Sequence, residues 1–393
     1  MEKGGNLTTF NGTGSPSAYP ADKKLFTPGP LTTSATVKSV MLRDVGSRCE
    51  EMKSNTSWIR QKLVEIAGVS SDKYTCVPLQ GSGSYTVEAV LNTTSKKDNA
   101  RVLIIVNGRY GRRMVSMCEY MGVEVHPLFI DETEAVTGEM VRIFLQKDKN
   151  WTSVAIVHSE TSSGTVNNVE EVGQVVKKEC PGTFYIVDAM SSFGAIPLDM
   201  ESGQIDFIVS SANKCLEGVP GFGYTICRKD ILLQCKGRAT SLCLDLVDQY
   251  VRLEETGQFR FTQPTHCLLA FRQAIEEFLK EGGVNGRAKR YKELHRILCD
   301  GMEQLGFKRY IPGKCQGYII TTFMSPQHEN WSFETFNNRL LALGQSIYPG
   351  STTKIKNTFR IGSIGRLFPD DMSHLIDCIK KVLSEMDIPV PVS

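Results

Sequence analysis

No Cys-x-x-Cys pair occurs among the twelve cysteines, which are scattered from Cys49 to Cys378 with no His-rich segment beside them. That scatter signals neither a zinc site nor a redox dithiol, so no metal is expected. It fits reduced thiols in a reducing compartment. An excess of one charge is also lacking: 45 Lys and Arg against 43 Asp and Glu leave a net charge of +2. No long-range field is therefore available to draw in nucleic acid or an anionic membrane, and any anion site must be local. Long apolar runs are missing too. The longest candidates, such as VLIIV at Val102–Val106, have the length of a buried strand and not of a membrane span. The opening MEKGGNLTTFNGTGSPSAYP holds no apolar stretch of the kind a signal peptide needs. A cytoplasmic location follows as the expectation, and the six Asn-x-Ser/Thr sequons, the first at Asn6 and the last at Asn330, carry no role in it.

What is present is enough chain for two or three domains: 393 residues, 41% of them apolar and 22% charged, the balance of an ordinary globular protein. Residues 1–24 are rich in Gly, Ser, Thr and Pro and read as a disordered tail. From 25 to 281 short β-rich runs alternate with amphipathic helical patterns. Val102–Val106 precedes a helix from about Tyr110 to Met121, and Val154–Val157 precedes one from Val169 to Lys178, which Asn168 and Glu171 open as a capping box. Two further strands, FYIVD ending at Asp188 and DFIVSS ending at Ser211, complete an α/β pattern with a mostly parallel central sheet flanked by helices. From 282 to 393 the pattern changes to a smaller α+β domain. Long helices precede short strands at Tyr318–Phe323 and Thr358–Ile361, and an amphipathic helix from Asp370 to Met386 closes it.

Three segments carry chemistry. GSGSYTVEAV begins at Gly81 after an apolar run and leads into a helix, so its amides and the Ser82 and Ser84 hydroxyls can face an anion. A dinucleotide fingerprint fails because Thr86 stands where the third glycine belongs, and a Walker loop fails for want of Gly-Lys-Ser/Thr. A phosphate monoester is the better ligand. Asp188 ends a very apolar strand, where a carboxylate is costly to bury unless a cation meets it. Lys214 follows another apolar strand in a small-residue loop. Singly, these are also what a Gly-rich turn, a helix cap and a solvated lysine look like. Together they match the needs of pyridoxal 5'-phosphate: a helix start for its phosphate, an Asp for its ring nitrogen and a Lys for a Schiff base.

The strings TPGPLTTSATVKSVMLRD, NGRYGRRM, IVDAMSSFGAIPLD, SSANKCLEGVPGFG, RFTQPTHCLLAF, EGGVNGRAKRY and FRIGSIG make the chain resemble the class V, fold-type I pyridoxal-phosphate aminotransferases. Among them the resemblance is to the 2-aminoethylphosphonate:pyruvate transaminase family. It covers nearly all of the chain from about Leu25 and implies a transaminase that moves the amino group of 2-aminoethylphosphonate to pyruvate, in a homodimer with shared active sites. It implies Lys214 as the cofactor lysine and proton carrier, and Asp188 as the partner of the ring nitrogen. Ser82, Gly83 and Ser84 then bind the phosphate, and Thr262 reaches the phosphate of the neighbouring subunit's cofactor. Tyr110 stacks on the ring, Thr161 lies at its edge, and Arg360 and Gly29 belong to the substrate site. His158 and His266 are expected in hydrogen-bonded structural roles. One departure stands out: Val45-Gly46-Ser47-Arg48-Cys49-Glu50 replaces the Cys-Thr-Trp-Asp string common in bacterial members. Its Asp-x-Gly-x-Arg look is closer to alanine:glyoxylate aminotransferases, the alternative activity. A non-catalytic homologue acting as a binding protein is the other alternative.

Overall fold

The computed structural model describes residues 22–96, 98–311 and 313–392; residues 1–21, most of the expected tail, lie outside them. Seven strands form the main sheet, in the order Tyr74–Gly81, Gly221–Arg228, Phe207–Ser211, Phe184–Asp188, Ser153–Val157, Arg101–Val106 and Glu124–Phe129. The last five run parallel, while Gly221–Arg228 is antiparallel to both of its neighbours. Helices cover both faces of the parallel part, so its inner strands are continuously apolar. Val154, Ile156, Ile186, Val187 and Ile208 are all buried. Glu124–Phe129 at the edge is partly exposed throughout, and there the sequence mixes charge, Pro127 and apolar residues.

Strand order reverses on either side of Arg101–Val106: the chain goes next to Glu124–Phe129 on one flank and then to Ser153–Val157 on the other. The loops leaving Val106 and Val157 therefore diverge and open a crevice at the carboxyl ends of the strands, the usual ligand position in such sheets. A second hydrophobic cluster, with Tyr291, Leu298, Phe323, Phe359, Leu375 and Ile379, forms the core of the smaller C-terminal domain around the antiparallel strands Ile320–Met324, Thr358–Gly362 and Tyr348–Pro349. Phe26 and Leu31 pack into this second core, and Lys24–Leu25 pairs with Gln345–Ser346. The segment after Phe26 thus runs between the two cores.

The capping box at Asn168 does not form. Its side-chain amide donates to the Glu171 carboxylate at 2.9 Å, so the two groups satisfy each other and leave the helix amides alone. Among the described residues no helix is long and apolar enough to cross a membrane.

Candidate active site

The crevice holds a cavity of about 190 Å³ lined by Ser82, Gly83, Ser84, Tyr110, Thr161, Asp188 and Lys214, all expected from the sequence. Ser82, Gly83 and Ser84 come from one helix start, and the others arrive from the ends of other strands and helices or from the loops beside them. Ser82 precedes the helix Gly83–Thr94 and its hydroxyl makes no capping bond, which leaves the first amides of that helix for a ligand. Gly83 lies close to Met190: a Cβ there would meet its Sδ and Cε, so the flexible end of that side chain would have to shift. Tyr110 lies in the first turn of the helix Arg109–Tyr120, whose start is capped by Glu160: the carboxylate accepts the Tyr110 amide at 3.1 Å.

Asp188 is 6% exposed at the end of its strand. Its Oδ1 accepts the Met190 amide at 2.9 Å, and among the described residues no cation lies within ion-pair distance. Burial raises its pKa to about 6, with the Glu160 charge adding to the rise and the Met190 bond, Lys214 and Arg113 opposing it. A carboxylate placed so deep with one hydrogen bond calls for a cationic partner.

Lys214 sits in a turn between Phe207–Ser211 and Gly221–Arg228. Its ammonium donates to the Pro28 carbonyl at 2.6 Å, and burial lowers its pKa to about 8 against the opposing pull of Cys215 and Asp188. Gly29, at φ +130°, lies against this side chain, and a Cβ there would strike Nζ, Cδ and Cε. Arg360 is 7% exposed. It donates from Nε to the Pro349 carbonyl at 3.0 Å and from Nη1 to the Thr161 carbonyl at 2.9 Å. Burial lowers its pKa, partly offset by Tyr110, and no carboxylate pairs with it among the described residues. A buried guanidinium held by two carbonyls and without a carboxylate partner among the described residues retains donors for an anion.

Thr262 is not brought to this cavity. It is exposed and lines a separate one of about 230 Å³ with Ser47, Arg48, Arg260 and Gln263. The Val45–Glu50 departure falls there as well, tied by Gln263 Nε2 to the Ser47 carbonyl at 2.7 Å. His158 corrects its expected role: its amide donates to the Asp188 carbonyl at 2.8 Å, but its side-chain Nδ1 is buried without a hydrogen-bond partner among the described residues. Complete burial lowers its pKa to about 4 and keeps it neutral. His266 faces Asp44 at 3.5 Å in a half-exposed setting.

Sequence reasoning passed over Arg113, which donates to Ser84 Oγ at 3.0 Å and stacks 4.9 Å from the Tyr110 ring centroid. Its place three residues after Tyr110, on the same helix face, was the available signal. Met190 and Asn213 also line the cavity, and no pattern marked them. The residues present fit pyridoxal 5'-phosphate: a carboxylate short of a cation, a lysine of lowered pKa and an uncapped helix start converge on one cavity.

The aminotransferase class-V family model matches residues 33–340. A 2-aminoethylphosphonate–pyruvate transaminase of Bacteroides fragilis is 45% identical over 91% of this chain and 98% of its own length. One from Lysinibacillus sphaericus is 43% identical over 92% and 97%. Among solved structures, the ureidoglycine–glyoxylate aminotransferase of Bacillus subtilis superposes with a TM-score of 0.86 at 22% identity, covering 95% of this chain and 96% of that one. An alanine–glyoxylate aminotransferase from Nostoc gives 0.85 at 21%, covering 94% and 98%. Fold, cavity and relatives agree, and the chain belongs to the class V aminotransferases.

Proposed function

We propose that the protein transfers the amino group of 2-aminoethylphosphonate to pyruvate, giving phosphonoacetaldehyde and L-alanine. The chemistry rests on Lys214 and Asp188 sharing one buried cavity with shifted pKa values. The donor rests on the activity for which relatives at 42–45% identity are named. Pyridoxal 5'-phosphate would be held by Ser82, Gly83, Ser84, Tyr110, Thr161, Asp188 and Lys214, with Thr262 supplied by a second subunit of a homodimer. When bound, it supplies an aldehyde that accepts an amino group and a ring that draws electrons from the substrate carbon.

The chain's own residues do the rest. Lys214 Nζ, with a pKa near 8, is partly neutral at neutral pH and can take the proton leaving the amino-bearing carbon and later return one. The Asp188 carboxylate would pair with the cofactor's ring nitrogen and favour its protonated form. Arg360 receives the phosphonate of one substrate and the carboxylate of the other in alternate half-reactions, because a planar guanidinium offers two parallel donors to either. Gly29 leaves room for Lys214 to swing. The free cysteines, most of them buried, suit a cytoplasmic enzyme.

Purified protein given pyridoxal phosphate, pyruvate and a panel of amino donors should form alanine fastest from 2-aminoethylphosphonate. Lys214→Ala should form none beyond background. Faster turnover with another small amino donor would overturn the substrate, and undiminished alanine formation by Lys214→Ala would overturn the mechanism.

A further inference from the structure

Glu132 lies just past the carboxyl end of the edge strand Glu124–Phe129, and although it sits in a loop it is only 2% exposed. Its carboxylate is saturated with donors from the smaller domain. Oε2 accepts the Thr353 amide at 2.8 Å and the Thr353 hydroxyl at 2.7 Å. Oε1 accepts the Tyr310 hydroxyl at 2.7 Å and the Thr353 and Lys354 amides at 3.1 Å. Burial alone would raise its pKa, but the Thr353 and Tyr310 donors and the Lys354 amide bring it below the ordinary carboxylate value. Asp131 pairs with the Lys354 ammonium, and Arg109 Nη1 donates to Ser351 Oγ at 3.1 Å.

All these partners but Tyr310 belong to residues 351–354, in the loop joining Tyr348–Pro349 to the strand Thr358–Gly362 that carries Arg360. The base of that loop is closed by the Gly350 amide on the Thr358 carbonyl at 2.9 Å, and Pro349 itself accepts Arg360 Nε. On its other side Glu132 offers its backbone carbonyl to Thr165 Oγ1 at 2.8 Å, within the segment whose Thr161 carbonyl accepts Arg360 Nη1. Both main-chain acceptors that aim the guanidinium are thus linked to one residue.

We propose that Glu132 is a positioning residue for substrate recognition: it clamps the loop 350–357 to the main sheet and thereby fixes the aim of Arg360. Its place is at the domain junction, outside the cavity of Lys214, and it touches neither cofactor nor substrate. The inference rests on Arg360 being the anion receptor. A glutamine of the same shape would turn an amide N–H₂ toward amides and hydroxyls that themselves donate, so the clamp would lose acceptors that nothing else supplies.

Two readouts test it. In protein without cofactor, Glu132→Gln should speed hydrogen exchange of the Thr353 and Lys354 amides by about tenfold or more, while the amides of Val102–Val106 stay protected. In the holoenzyme it should raise KM for both 2-aminoethylphosphonate and pyruvate by about tenfold with kcat within about twofold. Thr353→Val, which removes a single hydroxyl donor, should move KM in the same direction by less and covers the case of a poorly folded Glu132→Gln. Lys354→Ala, losing a surface ion pair, should leave KM within about twofold. Unchanged exchange in Glu132→Gln, or a loosened loop with KM unchanged, overturns the proposal, as does a KM rise in Lys354→Ala equal to that of Glu132→Gln. Arg360→Lys separates the two ideas. Normal KM values there sink the Arg360 reading, whereas raised values there with normal ones in Glu132→Gln and Thr353→Val sink the clamp alone.

Discussion

Lys214 and Asp188 are each destabilising where they stand, and the destabilisation is what makes them useful. Lys214 has a pKa near 8 against an ordinary value of 10.5, so acetic anhydride should modify it in cofactor-free protein with a midpoint near pH 8. Surface lysines should titrate about two units higher; a Lys214 midpoint among them would mean that the side chain is solvated. Asp188 works in the other direction. With a folded-state pKa of about 6 above the ordinary 3.8, it favours folding fully only below pH 3.8, and that contribution is lost as pH rises through 6. Asp188→Asn, neutral throughout, should therefore exceed the wild type in stability at pH 8 by up to about 3 kcal/mol. The gap should narrow toward pH 4 and invert when cofactor is added, since a hydrogen bond to a charged group is worth about 1.5–3 kcal/mol. Denaturant titrations at both pH values, with and without pyridoxal phosphate, check this, and an equal advantage at both would exclude the buried charge as its cause.

The elements that present these groups are held by polar networks that the sequence announces only in part. The Lys214 turn contains Glu217 at φ +59°, whose amide closes on the Lys214 carbonyl at 2.7 Å. The Glu217 carboxylate accepts from Tyr291 at 2.6 Å and from Arg290 at 2.7 Å, and the fully buried Arg287 donates to the Cys215 carbonyl and to Glu281. Removing one member of such a buried set strands the others, so Arg287→Met should cost about 3–5 kcal/mol. Urea unfolding would measure it, and a loss below about 1 kcal/mol, the scale of an exposed pair, would show that the network is not acting as a brace. Strands ending in Asp188 and Ser211 were legible because both faces are covered and the runs are continuously apolar. The residues of the brace stood in plain view in EGGVNGRAKRY, where Glu281 is a local partner of both arginines, yet nothing local said that Arg287 and Arg290 turn inward, because the groups they meet there, the Cys215 carbonyl and Glu217, lie about seventy positions away. Glu132 was hidden for the same reason: its donors come from beyond position 300, and only tertiary structure brings them to a loop after an edge strand of mixed polarity.

At the scale of the whole molecule the cavity of Lys214 lacks one of the expected cofactor-binding residues, Thr262, and the place of that residue fits the proposed second subunit. Thr262 lines its own cavity beside Arg48, next to the exposed Phe261, and Arg260 Nη1 ties this stretch to the carbonyl of the exposed Leu242 at 2.8 Å. Two exposed large apolar residues beside an open hydroxyl and an Arg48 that makes no ion pair among the described residues suit a surface that a copy of the chain covers. In a symmetric dimer each site would then combine Lys214 of one subunit with Thr262 of the other. The consequence is complementation. Lys214→Ala lacks the proton carrier, and Thr262→Asp sets a carboxylate against a phosphate dianion, so each homodimer should be nearly inactive. A hybrid concentrates both defects in one site and leaves the other intact. Denaturing and refolding an equal mixture should make about half of the dimers hybrids with one working site each, restoring about a quarter of wild-type activity. If the mixture stays as inactive as its parents while size-exclusion chromatography shows dimers, Thr262 serves its own subunit or neither, and the shared site falls.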